Sequence, residues 1–181
     1  GEHSSLFIDE RLFEVVDHGD FWLSPTPAVT GSVGWDAALT RMCTWARLRS
    51  RTTGHELQVW NTHFDHRGKK ARHESAKLLA RRIEQTPGPH LLLGDLNAGE
   101  RSAPLAALRA ADLRDTFRDI YPDATEVGTG HGFRGGTKGR KIDYVLVGPG
   151  LATLAAAILT DPGPNGRWLS DHHLVTASLK Y

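Results

Sequence analysis

The sequence predicts a layered α/β fold, a sandwich of two mixed β-sheets flanked by helices. Two observations favour this class. Many short segments have the apolar alternation or the length of strands, and one longer segment has the period of an amphipathic helix. Neither an internal repeat nor a linker divides the 181 residues, which are too few for two ordinary domains. We therefore expect one mixed α/β domain.

The first half of the chain has four strand patterns and one helix pattern. Residues 67–85 repeat small and apolar side chains at helical spacing, which predicts an amphipathic helix that ends at Pro87-Gly88-Pro89. A turn at Thr53-Gly54 joins the last two strands as a hairpin. The predicted strands are residues 4–8, 12–16, 43–48 and 56–62, and residues 24–36 are a loop.

The second half of the chain alternates strand patterns with a short helix and a glycine-rich segment. Ser102 followed by Pro104 predicts the start of a helix that ends near Ala111. Residues 128–139 contain six glycines and are expected to be a loop. The predicted strands are residues 90–94, 142–147 and 174–179, whereas the pattern of residues 151–160 is compatible with a helix or a strand.

The overall composition is that of a folded globular protein, with 39% hydrophobic residues, 24% charged residues and a net charge of +1. The single cysteine, Cys43, excludes an internal disulfide. No apolar run approaches the roughly 20 residues that a membrane-spanning helix needs. The chain begins Gly1-Glu2-His3 without a recognisable targeting segment, so cytoplasmic and exported locations both stay open.

Four short polar clusters follow or begin predicted strands. They are Asn61-Thr62-His63, Gly94-Asp95-Leu96-Asn97, Ile142-Asp143-Tyr144 and Ser170-Asp171-His172. Strand ends are where a layered α/β domain brings distant residues together around one crevice. A single Asp after a buried strand is usually a turn or cap residue, so the prediction of a site depends on the joint occurrence of the four clusters.

The residue types in these clusters suit the hydrolysis of a phosphate ester with a divalent metal. The reaction needs a water nucleophile, charge neutralisation on the phosphoryl oxygens and a proton for the leaving oxygen. Asp95, Asn97 and Asp171 offer the oxygen ligands that Mg²⁺ or Mn²⁺ takes. Asp95 and Asn97 lie two residues apart, so both side chains point to one face if the segment is extended. His172 needs an acidic partner to act as a base or to carry positive charge.

The four clusters resemble the motifs of the endonuclease/exonuclease/phosphatase superfamily, which has the DNase I-like fold. Residues 21–27, 34–36 and 41–45 are similar to its bacterial metal-dependent hydrolase branch. The resemblance covers nearly the whole chain. It implies a metal-dependent phosphoesterase that acts on phosphomonoesters or phosphodiesters.

The resemblance also implies roles for individual residues. Asp143 would be the acidic partner of His172, and His63 would bind the phosphate or protonate the leaving group. Glu2 matches a residue that orients this histidine. Arg41 matches a phosphate-binding position, although an ordinary cation at a strand end is an equally good interpretation.

The basic residues of the glycine-rich segment allow two interpretations. Arg134, Lys138, Arg140 and Lys141 lie just before Asp143. A loop of this kind can present cations and backbone amides to a phosphate. The alternative is a solvated loop whose cations have no ligand.

The sequence departs from the family at its start. A first strand that carries an Asn and a second strand that ends in a metal-binding Glu have no counterpart here. Residues 1–181 are therefore predicted to be a domain of this family without its first strands, completed by a preceding segment or a dimer partner. Loss of one carboxylate leads us to expect weak or no Mg²⁺ binding by the chain alone, and no activity unless a complementary N-terminal segment is supplied.

Three substrate classes fit a metal-dependent phosphoesterase: nucleic acid, a sugar phosphate, or another small phosphoester such as a lipid headgroup. The net charge of +1 argues mildly against a groove for long duplexes, because such grooves gain affinity from many phosphate contacts. A second class of function is non-enzymatic. In that case the chain is a catalytically incomplete member of the fold and acts as a binding module.

Overall fold

The computed structural model describes residues 3–181, and in this part of the chain the larger sheet has six strands. The strands are β1 (Phe13–Trp22), β2 (Met42–Ser50), β3 (Glu56–Thr62), β4 (His90–Asp95), β5 (Arg114–Asp115) and β6 (Asp143–Val147). They lie in the order β1-β2-β3-β4-β6-β5. β3 and β4 are parallel, and the other neighbours are antiparallel, so this sheet is mixed as predicted.

Two helices cover one face of the six-stranded sheet. α1 (Lys69–Gln85) and α2 (Ala103–Ala110) contact each other and share one core with the sheet. Leu79 of α1, Leu92 of β4 and Leu108 of α2 are all fully buried there. Leu91 and Leu93 on the other face of β4 are only partly buried, so the burial that the apolar run predicted is complete on the helix-covered face alone. None of the helices in the described residues is long and apolar enough to cross a membrane.

A second sheet consists of β7 (Ala152–Leu159) and β8 (Leu174–Lys180), which pair antiparallel. β8 contacts β6, and β7 contacts α3 (Thr116–Ile120). The segment 151–160, which fitted a helix or a strand, is thus a strand. Leu154 and Leu174 on this sheet are 59% and 63% exposed, so part of its apolar surface faces solvent.

Two predicted strands differ from the structure, and two short elements were not predicted. Residues 4–8 are not a strand. β1 runs to Trp22 rather than ending at Val16, because it pairs with the whole of β2 across an irregularity between Val15 and Asp17. The stretch that follows Val16 is polar, so its pattern did not indicate that this edge strand continues. β5 and α3 were not predicted, since two and five residues give no periodicity to detect.

A buried ion pair fixes the start of β6 against α3. Lys141 Nζ lies 2.8 Å from Asp115 Oδ2 and 3.7 Å from the centre of the Tyr144 ring, with only 1% of its side chain exposed. Burial lowers the pKa of Lys141, although Asp115 opposes the shift. Asp115 also caps α3, because its Oδ1 accepts a hydrogen bond from Phe117 N at 3.1 Å. One carboxylate therefore holds two elements beside the strand that begins at Asp143.

We expect Asp115→Ala to lower the free energy of unfolding by about 3–5 kcal/mol, because it leaves the Lys141 ammonium buried without its partner. Urea unfolding at neutral pH measures the effect. Asp123→Ala removes an exposed carboxylate and serves as the matched control.

The double variant Asp115→Ala with Lys141→Met should recover most of that loss, since both charges are then absent. The lost helix cap leaves a deficit of about 1 kcal/mol. A double variant as unstable as Asp115→Ala would contradict the assignment of the cost to an unpaired buried charge.

Candidate active site

Strand pairing brings three of the predicted clusters to one edge of the sheet. β3 and β4 are parallel, so His63 and the residues after Asp95 follow strands that end side by side. β6 runs antiparallel to β4, and Asp143 is the register partner of Asp95. Two residues that are 48 positions apart in the sequence therefore face each other across neighbouring strands.

Gly94 allows β4 to approach the end of β3. Its φ is +136°, a conformation that side chains disfavour, and a Cβ at this position would collide with the carbonyl oxygen of Thr62. The strand can therefore come this close only where no side chain is present. This approach places Asp95 beside His63, with 3.3 Å between Asp95 Oδ2 and His63 Nε2.

Asn97 is positioned by a turn rather than by a continued strand. Its backbone N–H donates to Asp95 Oδ1 at 2.7 Å, and its φ is +47°. The condition of an extended segment, under which Asp95 and Asn97 would point to one face, is therefore not met, because the chain turns at once after β4. The turn still gathers the side chains. Asn97 Nδ2 donates to Phe64 O at 3.0 Å and lies 3.1 Å from His63 Nε2.

His172 reaches the site from the segment before β8. Its Nδ1 lies 2.8 Å from Asp143 Oδ2, and the two side chains are 28% and 15% exposed. The hydrogen bond to Asp143 raises the pKa of His172 to about 9, although partial burial opposes the shift. At neutral pH the imidazolium thus offsets charge on the two facing carboxylates.

Asp95, Asp143 and His172 each offer a ligand atom, and these atoms lie within 4.8 Å of one another. Carboxylate oxygens are the donors that Mg²⁺ and Mn²⁺ prefer, so the residues fit a hard divalent cation. Asp171 is not in this group. Its side chain is exposed, and its carbonyl oxygen accepts hydrogen bonds from the backbone N–H of His131 and Gly132. A metal-binding role for Asp171 stays a prediction.

Arg41 lies below the surface with 5% of the residue exposed. Its Nε is 3.8 Å from Asp65 Oδ2, and its Nη2 is 3.3 Å from His66 Nδ1. Burial opposes ionisation of Asp65, but four backbone N–H donors outweigh it and lower the pKa of Asp65 to about 2. These contacts favour the interpretation of Arg41 as a strand-end cation, and its phosphate-binding role stays a prediction. Glu2 lies outside the described residues.

Thr129 is a positioning residue that sequence reasoning missed. It is fully buried, and its hydroxyl oxygen accepts hydrogen bonds from Ile142 N and Asp143 N at 3.0 and 3.1 Å. Its carbonyl accepts from His173 N at 2.8 Å. One residue of the glycine-rich loop therefore holds the backbone on both sides of the Asp143–His172 pair. A lone Thr between glycines gives no signal of this role in the sequence.

Comparison with known proteins gives a consistent family. The sequence model of the endonuclease/exonuclease/phosphatase family matches residues 13–172. A crystal structure of a protein of this family from Bacteroides thetaiotaomicron is 34% identical and superposes with a TM-score of 0.83, over 94% of this chain and 64% of that one. The mannosyl-6-phosphatase Bt3783 from B. thetaiotaomicron VPI-5482 is 33% identical with a TM-score of 0.83, over 95% and 68% of the two chains.

A more distant likeness extends the fold to a DNA-processing protein. D. rerio TDP2 complexed with a single-strand DNA product is 14% identical with a TM-score of 0.71, over 95% of this chain and 70% of that one. A comparison with curated proteins found no match. The chain thus spans about two thirds of the length of these structures. From the family match over residues 13–172, the chain belongs to the endonuclease/exonuclease/phosphatase family.

Proposed function

We propose that this chain carries the catalytic residues of a divalent-metal-dependent phosphoesterase. The Asp143–His172 pair supports this proposal most strongly, with 2.8 Å between His172 Nδ1 and Asp143 Oδ2 at a point where Asp95 also faces Asp143. A histidine whose pKa is strongly shifted by a specific charged partner in a cleft is a candidate for a functional site. Membership of a family of phosphoesterases and nucleases agrees with this function.

In this proposal Asp95 and Asp143 hold Mg²⁺ or Mn²⁺, together with the side-chain oxygen of Asn97. A bound divalent cation supplies Lewis-acid stabilisation of the charge on the phosphoryl oxygens. Asn97 is suited to this role because its Nδ2 already donates to Phe64 O, which leaves Oδ1 as an acceptor for a cation.

The two histidines have separate roles in the proposal. Asp143 fixes the proton on Nδ1 of His172, so that Nε2 exchanges protons with the attacking water or holds charge beside the phosphate. His63 binds the phosphate or gives a proton to the leaving oxygen, and Asn97 orients its ring from 3.1 Å. Charge on His172 also lets two carboxylates face each other at neutral pH.

The substrate proposed is a phosphate ester of modest size, with a sugar phosphate as the first candidate. The 33% identical mannosyl-6-phosphatase supports this choice. Nucleic acid is the second candidate, for which the likeness to TDP2 supports the fold alone.

The first test is hydrolysis of mannose 6-phosphate, p-nitrophenyl phosphate, bis-p-nitrophenyl phosphate and single-stranded DNA with Mg²⁺ or Mn²⁺. We expect His172→Ala to lower kcat/KM for the best substrate by about 10²–10⁴-fold, because it removes an acid–base group. His18→Ala removes an exposed histidine of β1 and serves as the matched control. The chain alone is expected to be inactive if the missing Glu is required, so it is the absence of hydrolysis after a segment with that Glu is supplied that would favour a binding module instead.

The second test follows protonation of His172 in the metal-free chain by NMR. We expect a pKa of about 9 that falls towards the ordinary value near 6.5 in Asp143→Asn, since the hydrogen bond to Asp143 is the main cause of the shift. A raised pKa stabilises the fold below about pH 6.5, and this contribution is lost as the pH rises through about 9. An equal pKa in Asp143→Asn and in the control Asp123→Asn would contradict the pairing.

The third test is calorimetric titration with Mg²⁺ and Mn²⁺. We expect weak binding by the chain, with a dissociation constant on the order of 10⁻³ M, because only two carboxylates converge among the described residues and one faces an imidazolium. Asp95→Asn should weaken binding further, whereas Asp123→Asn should not. Tight binding that Asp95→Asn leaves unchanged would locate the metal elsewhere.

A further inference from the structure

We propose that a cationic groove beside the catalytic cluster binds a second phosphate group of the substrate. The catalytic cluster is the proposed set His63, Asp95, Asn97, Asp143 and His172. This inference rests on the proposed function and narrows its substrate class to phosphoesters with a second phosphate. The flanking groove, as we call it, has a volume of about 730 Å³ and is lined by residues 99–102, 118, 124–127 and 138–141. A groove of this size accommodates a small ligand or a short part of a longer one.

The flanking groove begins next to the catalytic residues in the chain. Its first wall starts at Gly99, two residues after Asn97, and another wall ends at Lys141, two residues before Asp143. Two residues span at most about 7 Å between Cα atoms, so both walls adjoin the cluster. The groove is therefore within reach of a substrate whose phosphate lies at the cluster.

Two cations of the groove are already neutralised and build its walls. Arg118 donates to both carboxylate oxygens of Glu100, at 2.6 and 3.0 Å, and also to backbone carbonyls of residues 121, 122 and 124. Lys141 is paired with Asp115, as described above. These bonds are internal, so Arg118 and Lys141 serve the structure of the groove rather than its ligand.

Three other cations of the groove are exposed and have no carboxylate partner in the described part of the chain. Arg101, Lys138 and Arg140 are exposed on the rim, and none lies within 4.0 Å of a carboxylate among residues 3–181. Besides Glu100, the lining contains one more acid, the exposed Glu126. The rim therefore carries an excess of positive charge although the whole chain has a net charge of only +1.

Arg140 connects the rim to the catalytic cluster. A Cβ at Gly99 would meet the Arg140 Cδ at 3.5 Å, so the stem of Arg140 lies against the wall that follows Asn97. The carbonyl of Arg140 accepts a hydrogen bond from Thr129 N at 3.2 Å, and Thr129 also holds the backbone of Asp143. The hydrogen bonds that position Asp143 thus also position this arginine.

The chemistry of the rim suits a phosphate. Two guanidinium groups and one ammonium group offer many donors and no acceptor, and arginine pairs with phosphate through two parallel hydrogen bonds. The second phosphate can come from a bisphosphorylated small molecule or from the neighbouring nucleotide of a short single strand. Both sources present the same group, and the experiment separates them.

Equilibrium binding in EDTA tests the groove without any requirement for hydrolysis. Fructose 6-phosphate, fructose 1,6-bisphosphate and 5′-phosphorylated trithymidylate are titrated into the full chain. We expect at least one ligand with several phosphates to bind about fivefold or more tightly than fructose 6-phosphate, and the advantage to shrink as salt rises. A two- to threefold gain is not sufficient, because the two phosphates of the bisphosphate or the three of the trinucleotide multiply the chance of occupying one site by about that number.

The double variant Arg101→Gln with Arg140→Gln should reduce this advantage to about threefold or less, because both guanidinium groups are lost. Arg81→Gln with Arg167→Gln removes the same charge from exposed positions outside the groove lining and serves as the control. If the tighter binding that depends on Arg101 and Arg140 is seen with fructose 1,6-bisphosphate, the second phosphate comes from a small molecule. If it is seen with the trinucleotide, the second phosphate comes from a neighbouring nucleotide. Equal affinities for all ligands, or an advantage that survives the double substitution, would overturn the proposal. An advantage that persists although the chain stays inactive after a segment with the missing Glu is supplied would count against the proposed function alone.

Discussion

The antiparallel pairing of β6 with β4 is the constraint on which the site depends, because it sets Asp143 opposite Asp95. Two facing carboxylates repel each other unless positive charge is close. His172 supplies that charge through a hydrogen bond of 2.8 Å, and Thr129 fixes the backbone from which Asp143 projects. The arrangement thus needs a segment far along the chain to return to this strand end, and the glycine-rich loop is the element that holds it there.

Backbone donors and internal ion pairs stabilise the surroundings of the site. Asp65 accepts four backbone hydrogen bonds after β3, and Asp115 pairs with Lys141 before β6. Each buried charge therefore has partners, as the cost of desolvation requires. Buried and exposed charges therefore have different roles. Fully paired charges form the frame, and the charges left at the surface, on the groove rim and at the catalytic cluster, are the ones able to meet a ligand.

The sequence predicted the elements with a clear pattern and missed those without one. The run 90–94 and the helical period of 67–85 identified β4 and α1, because a continuous apolar run and a one-sided apolar period are both patterns that a sequence shows. The polar half of β1 and the five residues of α3 left none. His63, Asp95, Asn97, Asp143 and His172 were singled out by their motifs, and the structure gathers them. The support of Asp143 by Thr129 was not predictable, since it is a long-range contact to the backbone that only the folded chain creates.

Gly94 shows how a residue without a side chain can set the geometry of a site to which it contributes no functional group. The contact of its backbone with the end of β3 sets the spacing between His63 and Asp95, and any larger residue would push the two strands apart. An engineer who wishes to change substrate preference would therefore leave position 94 untouched and diversify the exposed rim of the flanking groove. Position 94 sets a distance within the site, whereas the exposed residues of the groove rim are the positions to change for a different ligand.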